Sequence, residues 1–208
     1  MLVVVAHPDD ESFGLGAAIS TLTDSGSSVA VLCFTHGEAS TLGEEFDDLG
    51  RIRADELAAA ARVLDIDVVE LLDYHDAHLA EVSFDALSAC VRASMRRASA
   101  DLLLVFDQGG ITGHPDHCRA TEVAIKVARE VDLPVLAWAL RERVAVALNE
   151  EFSAGFVGRQ DEELDFEISV GRTRQHQAIR EHASQCTDNP VLVRRLSLQG
   201  AKESFRWL

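Results

Sequence analysis

The stretch Leu2-Val3-Val4-Val5-Ala6-His7-Pro8-Asp9-Asp10-Glu11 decides the fold. Leu2 to Ala6 form an apolar run with no polar side to offer solvent, so they read as a strand buried on both faces. Pro8 suits the first turn of a helix, where its missing N–H costs nothing. Asp9 and Asp10 follow where the positive end of a helix dipole favours carboxylates. A strand passing directly into a helix opens a β-α unit. His7 stands at the junction, on the carboxyl edge where an open α/β sheet presents its ligands. The stretch from Met1 is too short for a signal-peptide core and lacks a basic region before it.

Outward from this point the same alternation continues. Strands are expected at Val29 to Phe34, Val68 to Leu72, Leu102 to Phe106 and Pro134 to Ala139. Between them, helical patterns run near Glu11 to Asp24, Arg51 to Leu64, Phe84 to Ser99 and Pro115 to Val131. The fold class is therefore α/β: a Rossmann-like, mainly parallel sheet with helices on both faces and right-handed crossovers. After Leu140 the rhythm changes. Val144 to Leu148 and Phe166 to Val170 read as further strands around an acidic, Gly-containing stretch, Asn149 to Asp165, which reads as an added sheet or a flap. A helix near Arg172 to Ser184 and a docking tail from Pro190 to Leu208 complete a small C-terminal strand and helix addition. Residues 1–208 are expected to form one domain, with 1–140 as the Rossmann-like core and 141–208 as the addition.

The formal charge of −16 speaks against nucleic acid and anionic membrane surfaces as partners, since both would be approached against repulsion. No apolar run is long enough to cross a bilayer, and a soluble, cytoplasmic protein is expected. Cys33, Cys90, Cys118 and Cys186 are far apart and form no CxxC pair, so they read as free thiols.

A second cluster, His114-Pro115-Asp116-His117, repeats the grammar of the first. It follows the strand Leu102 to Phe106 through the loop Asp107-Gln108-Gly109-Gly110-Ile111-Thr112-Gly113, and Pro115 again opens a helix. A catalytic zinc needs three protein ligands and one open position, so three histidines and three aspartates exceed what the metal requires. The surplus is the catalytic material. One carboxylate would take a proton from activated water, a histidine would serve the oxyanion, and a third carboxylate would orient that histidine. Residue types alone leave open which aspartate binds the metal.

Ala6 to Glu11, together with Gly110-Ile111-Thr112-Gly113-His114-Pro115-Asp116-His117, resembles the LmbE/PIG-L family of zinc-dependent N-deacetylases. Thr35-His36-Gly37-Glu38, Arg53-Ala54-Asp55-Glu56-Leu57 and His182-Ala183-Ser184-Gln185 also resemble landmarks of that family. The resemblance implies that His7, Asp10 and His117 hold the metal and that Asp9 is the general base. It implies that His114 stabilises the oxyanion and protonates the leaving amine, with Asp116 orienting it. Arg53, with Arg51 as its rival, would hold the polar head of the substrate; His36, Glu38 and His182 are further substrate-binding candidates. The cofactor implied is Zn2+, with Fe2+ or another divalent ion as alternatives. The substrate implied is a small amide, an N-acetylglucosamine-type conjugate, and a homo-oligomer is compatible with the chain. The chain departs from the family where a lysine is usual ahead of His182; here stand Arg172, Arg174 and Gln175.

Two other enzyme readings use the same residues: an amidase cleaving a thiol conjugate, and a non-haem Fe(II) oxygenase with a two-histidine, one-carboxylate site. Asp9 and the His114-Asp116 pair favour hydrolysis, which needs a proton shuttle. His75 and His78 read as surface loop histidines. Gly14-Leu15-Gly16 begins like a dinucleotide fingerprint but lies inside the first helix, where close packing explains it better. Glu44-Glu45-Phe46-Asp47-Asp48 reads as a solvated acidic loop.

Overall fold

The computed structural model describes residues 1–42 and 47–208. Glu44, Glu45 and Phe46 of the acidic run lie outside the described residues.

The chain begins with β1 (Leu2–Val5), a short α1 (Asp10–Phe13), α2 (Gly16–Asp24), β2 (Ala30–Thr35), α3 (Leu49–Val63) and β3 (Val68–Tyr74). After a single turn at Leu79–Glu81 come α4 (Phe84–Arg97), β4 (Leu103–Phe106), a turn of helix α5 (Gly110–Gly113), α6 (Pro115–Glu130) and β5 (Val135–Arg141). The C-terminal part supplies α7 (Glu142–Phe152), β6 (Gly158–Arg159), β7 (Phe166–Ser169), α8 (Thr173–Glu181), α9 (Ala183–Cys186), α10 (Pro190–Gln199) and β8 (Lys202–Trp207).

The sheet order is β3-β2-β1-β4-β5-β8-β7, with β6 paired to the end of β5. The first five strands are parallel, while β8 runs antiparallel to β5 and β7. Successive side chains on a strand point to opposite faces, and each face has its own helical cover. Val3, Val5 and Leu104 pack with residues of α2, α3, α7 and α8, whereas Leu2, Val4, Leu103 and Val105 pack with α4 and α6. The chain goes from β1 outward to β3, then returns to place β4 on the other side of β1. This reversal opens a crevice beyond the carboxyl ends of β1 and β4, where ligands of open α/β sheets bind.

Two expectations are corrected. Val144 to Leu148 is not a strand but the middle of α7. Val144, Ala145 and Leu148 are buried at helical spacing while Val146 is about half exposed, so the period is helical, although a short Val/Ala run reads equally well as a strand. The first helix is interrupted at Gly14-Leu15, where a side chain on Gly14 would run into the Phe106 ring. Close packing, not phosphate binding, accounts for that glycine. The 149–165 stretch holds the end of α7, β6 and a turn at Asp161–Glu163. It is bonded down: the Val157 N–H donates to Ile111 O at 2.7 Å, and Arg159 bonds Asp107 and Gln108 O. Among the described residues no helix is long and apolar enough to cross a membrane.

Candidate active site

Asp10 folds back on the strand it follows. Its Oδ2 accepts the N–H groups of Ala6 and His7 at 3.1 and 3.0 Å, capping the carboxyl end of β1. Its Oδ1 lies 3.0 Å from His117 Nε2. His117 is carried in on the first turn of α6, and its Nδ1 faces Gly110 O at 3.1 Å. Gly110 has φ +61°, and a side chain there would meet His117 and the Cys118 backbone, so the loop can make this close approach only with glycine. His7 Nδ1 lies 3.0 Å from His117 Nε2, while His7 Nε2 faces Asp76 Oδ1 at 2.9 Å and Asp116 Oδ2 at 3.5 Å.

These outer partners assign the tautomers. The carboxylates behind His7 favour a hydrogen on Nε2, and Gly110 O favours one on His117 Nδ1. Three lone-pair-bearing atoms, His7 Nδ1, His117 Nε2 and an Asp10 oxygen, then converge. Once His7 gives up its second proton, these facing lone pairs repel unless a cation sits among them, and two imidazole nitrogens with one carboxylate oxygen suit zinc or another divalent transition ion. The donor set fits a metal. A second grouping, His7, His114 and Asp116, also brings ligand atoms together. It suits a metal less well, because the Asp116 oxygens already accept the N–H groups of Ala77 and Leu79 at 2.7 and 3.1 Å.

The charges in this crevice reshape one another. Burial opposes a charge on His7, but the carboxylates of Asp116, Asp76 and Asp10 outweigh it and raise the group to about 10. Burial pushes Asp10 up, yet His117 and His7 hold it well below the usual carboxylate range. Asp76 is likewise pushed up by burial but brought down by His7, to about 2. Asp9 goes the other way. Burial raises it to about 6 despite the neighbouring Arg53 guanidinium, which is the range a general base needs near neutral pH.

Asp9 sits at φ 113°, ψ −26°, a left-handed conformation that costs a non-glycine residue of order 1–3 kcal/mol. Its carboxylate Oδ2 accepts from Arg53 Nη2 at 2.9 Å, and its N–H donates to Glu11 Oε2 at 3.0 Å. Arg53 also donates to Gly37 O at 2.6 Å and to Pro8 O. A side chain on Gly37 would displace the guanidinium, and at φ +65° the position favours glycine in any case.

His114 ends the glycine loop and caps α6, its Nδ1 accepting the Asp116 N–H at 3.2 Å. That bond leaves the hydrogen on Nε2. Burial and the neighbouring His7 and His117 lower its pKa, so the ring is a neutral donor. Here the structure departs from expectation: the Asp116 carboxylate does not bond His114 but turns toward His7 and the 77–79 backbone. Pro115 and the tight first turn of α6 leave His114 reaching the Asp116 amide instead.

A cavity of about 340 Å³ joins these groups, lined by His7, Asp9, Asp10, Arg53, Asp76, His114 and His117 with the 39–42 loop opposite. The other substrate-binding candidates lie outside it. His36 is tied to Gly50 O and Asp73 and, with Glu38, borders a neighbouring groove. Glu38 accepts the Asp76 N–H at 3.0 Å. Arg51 is exposed beside Asp48, which caps α3, so of the two arginines only Arg53 lines the cavity. His182 is fully buried and bonded to Glu11, away from the cavity wall. His75 and His78 are largely exposed. Asp76 escaped sequence reading, although it follows β3 on the same carboxyl edge as both clusters. The signal was present but masked by the more conspicuous His75 and His78 beside it.

Residues 2–128 match the family described as PIG-L, GlcNAc-PI de-N-acetylase. A 1D-myo-inositol 2-acetamido-2-deoxy-alpha-D-glucopyranoside deacetylase from Saccharomonospora viridis is 31% identical, the match covering 91% of this chain and 86% of the relative. A probable N-acetylglucosaminyl-phosphatidylinositol de-N-acetylase from Schizosaccharomyces pombe is 34% identical over 62% of this chain and 52% of the relative. The chain spans about half the length of several curated relatives that it matches. Among solved structures, the N,N'-diacetylchitobiose deacetylase of Pyrococcus horikoshii superposes with TM-score 0.74 at 23% identity, covering 100% of this chain and 82% of that one. The 4-carboxy-2-hydroxymuconate hydratase GalB of Pseudomonas putida superposes with TM-score 0.75 at 18% identity, covering 100% and 95%. Likeness at these identities speaks for the fold alone, and one fold here hosts both a deacetylase and a hydratase. The matched residues and the relative aligned along most of its length place this chain in the PIG-L family of de-N-acetylases.

Proposed function

We propose that this protein is a zinc-dependent N-deacetylase that hydrolyses the acetamide of a small N-acetylglucosamine-type conjugate, with residues 1–208 acting as one catalytic domain. The observation that carries this reading is the convergence of His7 Nδ1, His117 Nε2 and Asp10 Oδ1 beside a carboxylate, Asp9, raised to about 6. The amino-sugar substrate rests on what the relatives' names state.

His7, Asp10 and His117 would hold the ion. A divalent cation there supplies Lewis acidity, lowering the pKa of an attacking water and polarising the acyl oxygen. Asp9, ionised at neutral pH, takes the proton that this water gives up as its oxygen bonds the acyl carbon. His114 donates from Nε2 to the developing oxyanion as a neutral imidazole, so no proton leaves the ring. The proton held by Asp9 passes to the amide nitrogen, the C–N bond breaks, and acetate and amine depart. Asp9 thereby serves as base and then acid, taking the leaving-group protonation that the family resemblance assigns to His114. Arg53 keeps Asp9 ionised between turnovers and fixes its oxygen toward the cavity.

The test is Asp9→Asn measured by amine release from N-acetylglucosamine glycosides. Loss of about 10²–10⁴-fold in kcat with one metal ion still bound per chain is expected. Unchanged turnover would refute the assignment, and absence of amine release by the wild-type protein would refute the substrate class.

A further inference from the structure

Glu11 and His182 are both fully buried, yet neither faces the catalytic cavity. Placing an ionisable pair where solvent cannot reach it is costly unless every group is well bonded, so it calls for a reason. The bonds supply one. Glu11 Oε2 accepts the N–H of Asp9, and Glu11 Oε1 accepts from His182 Nε2 at 2.7 Å and Ser12 Oγ at 2.5 Å. Among the described residues His182 Nδ1 has no partner, so the bond to Glu11 is the one polar contact of the ring there. Asp9 is the residue held in the left-handed conformation, which persists only where its surroundings over-determine it.

The turn that delivers His182 is itself anchored. Ser184 N and Oγ bond the Glu56 carboxylate at 2.8 and 2.7 Å, one helical turn beyond Arg53 on α3. Gln185 Oε1 accepts from Ser40 Oγ at 2.6 Å, in the loop that forms the opposite cavity wall. The turn lies outside the residues 2–128 that match the family.

We propose that Glu11 and His182 are positioning residues: the Glu11–His182 pair clamps the Asp9 amide and so aims the Asp9 carboxylate, making the C-terminal 182–185 turn part of the catalytic apparatus. This rests on the deacetylase reading for its effect on turnover, but the clamp itself can be read without turnover. In Glu11→Gln one oxygen must serve both the Asp9 amide and His182, and the clamp loosens. In His182→Leu the donor is gone, whereas His182→Gln places an amide N–H near the position of Nε2 and keeps it.

Two measurements test this on the metal-loaded protein. Amide hydrogen exchange should quicken at Asp9 by at least about tenfold in Glu11→Gln and His182→Leu, with β1 and β4 amides unchanged. In acetamide hydrolysis, both variants should lose about 10–100-fold in kcat with KM and metal content retained, since a misplacement of about 1 Å is worth that much. His182→Gln should stay within about threefold of wild type on both readouts. In the Asp9→Asn background Glu11→Gln should cause no further loss, whereas a general structural role would add its own. Faster exchange with unchanged kcat, loss of metal along with kcat, or full additivity with Asp9→Asn would each overturn the positioning role. If Glu11→Gln and His182→Leu do not fold, His182→Gln decides: slowed turnover with unaltered exchange at Asp9 overturns the proposal. Failure of the wild-type protein to hydrolyse any acetamide would sink the deacetylase reading, leaving the exchange data to judge the clamp.

Discussion

Removing the guanidinium beside Asp9 should move the acid limb of the pH–rate profile. Arg53 Nη2 lies 2.9 Å from Asp9 Oδ2, and the Asp9 side chain is about 15% exposed. A unit charge at about 4 Å in an effective dielectric of about 20 is worth about 4 kcal/mol, and an arginine neighbour typically lowers an aspartate by about 1–3 pKa units. Asp9 already stands at about 6, because burial outweighs Arg53. Taking a rise of about 2 units in Arg53→Met, the ionised fraction at pH 7 drops from about nine-tenths to about one-tenth. The sign is fixed: a higher pKa keeps the base protonated at neutral pH, so kcat/KM should fall about tenfold at pH 7 and recover toward pH 9. A bound cation lowers Asp9 in both proteins, so the difference between them is the quantity to read. Arg53→Lys, which keeps the charge and loses the fork, should show an acid limb close to wild type with a lower plateau. The assay is amine release between pH 5 and 9 on protein of verified metal content and fold. An acid limb unmoved in Arg53→Met would refute the coupling of Arg53 to the base.

Three further outcomes follow from the same geometry. The metal-free protein should lose stability on the alkaline side: His7 is raised to about 10 in the fold, so its contribution is complete below its ordinary value of 6.5 and disappears as pH climbs toward 10. Thermal melting across that window should fall in the apo protein and flatten when metal replaces the proton, with about one proton released per ion in calorimetry at pH 8. Arg159→Ala leaves buried Asp107 with Arg206 alone and frees the glycine loop before His114. A loss of about 1–3 kcal/mol, or about 2–12 °C in Tm, should accompany a lower kcat. Finally, the two grooves flanking the cavity carry Glu38, Asp47, Asp48, Asp73, Asp76 and Glu81 against Arg51, so neutral polyol glycosides should surpass malate or phosphate conjugates in kcat/KM. Raising ionic strength from about 0.01 to about 0.5 M should narrow that gap, and a preference for the anionic conjugates at low salt would refute it.

Sequence reading singled out the residues that converge at the candidate metal site because its elements are local. A strand end, a proline at a helix start and carboxylates in the first turn are all set within a few residues, and that grammar occurred twice. It failed where one short pattern fits two periods, as at Val144 to Leu148, and where a partner arrives from a distant segment. Asp76 meets His7 across 69 positions and His182 meets Glu11 across 171, separations that only the sheet order resolves. Local periodicity carries no information about which strand ends become neighbours.

The role of the addition after Leu140 follows from the same distinction. Its strands and helices read as an appendage, yet β8 completes the sheet beside β5, Arg159 and Val157 fasten the loop that delivers His114, and His182 bonds the Glu11 carboxylate that accepts the amide of Asp9. The parallel core supplies the candidate ligands and the cavity. Strained positions such as Asp9 and Ile111, however, are held in part from the C-terminal segment: the Val157 N–H bonds Ile111 O, and His182 bonds the Glu11 that accepts the Asp9 amide. Substitutions there should therefore lower kcat before they weaken metal binding, whereas changes at Asp10 or His117 should abolish both together. The order of those losses distinguishes a segment that aims the catalytic groups from one that merely covers the sheet.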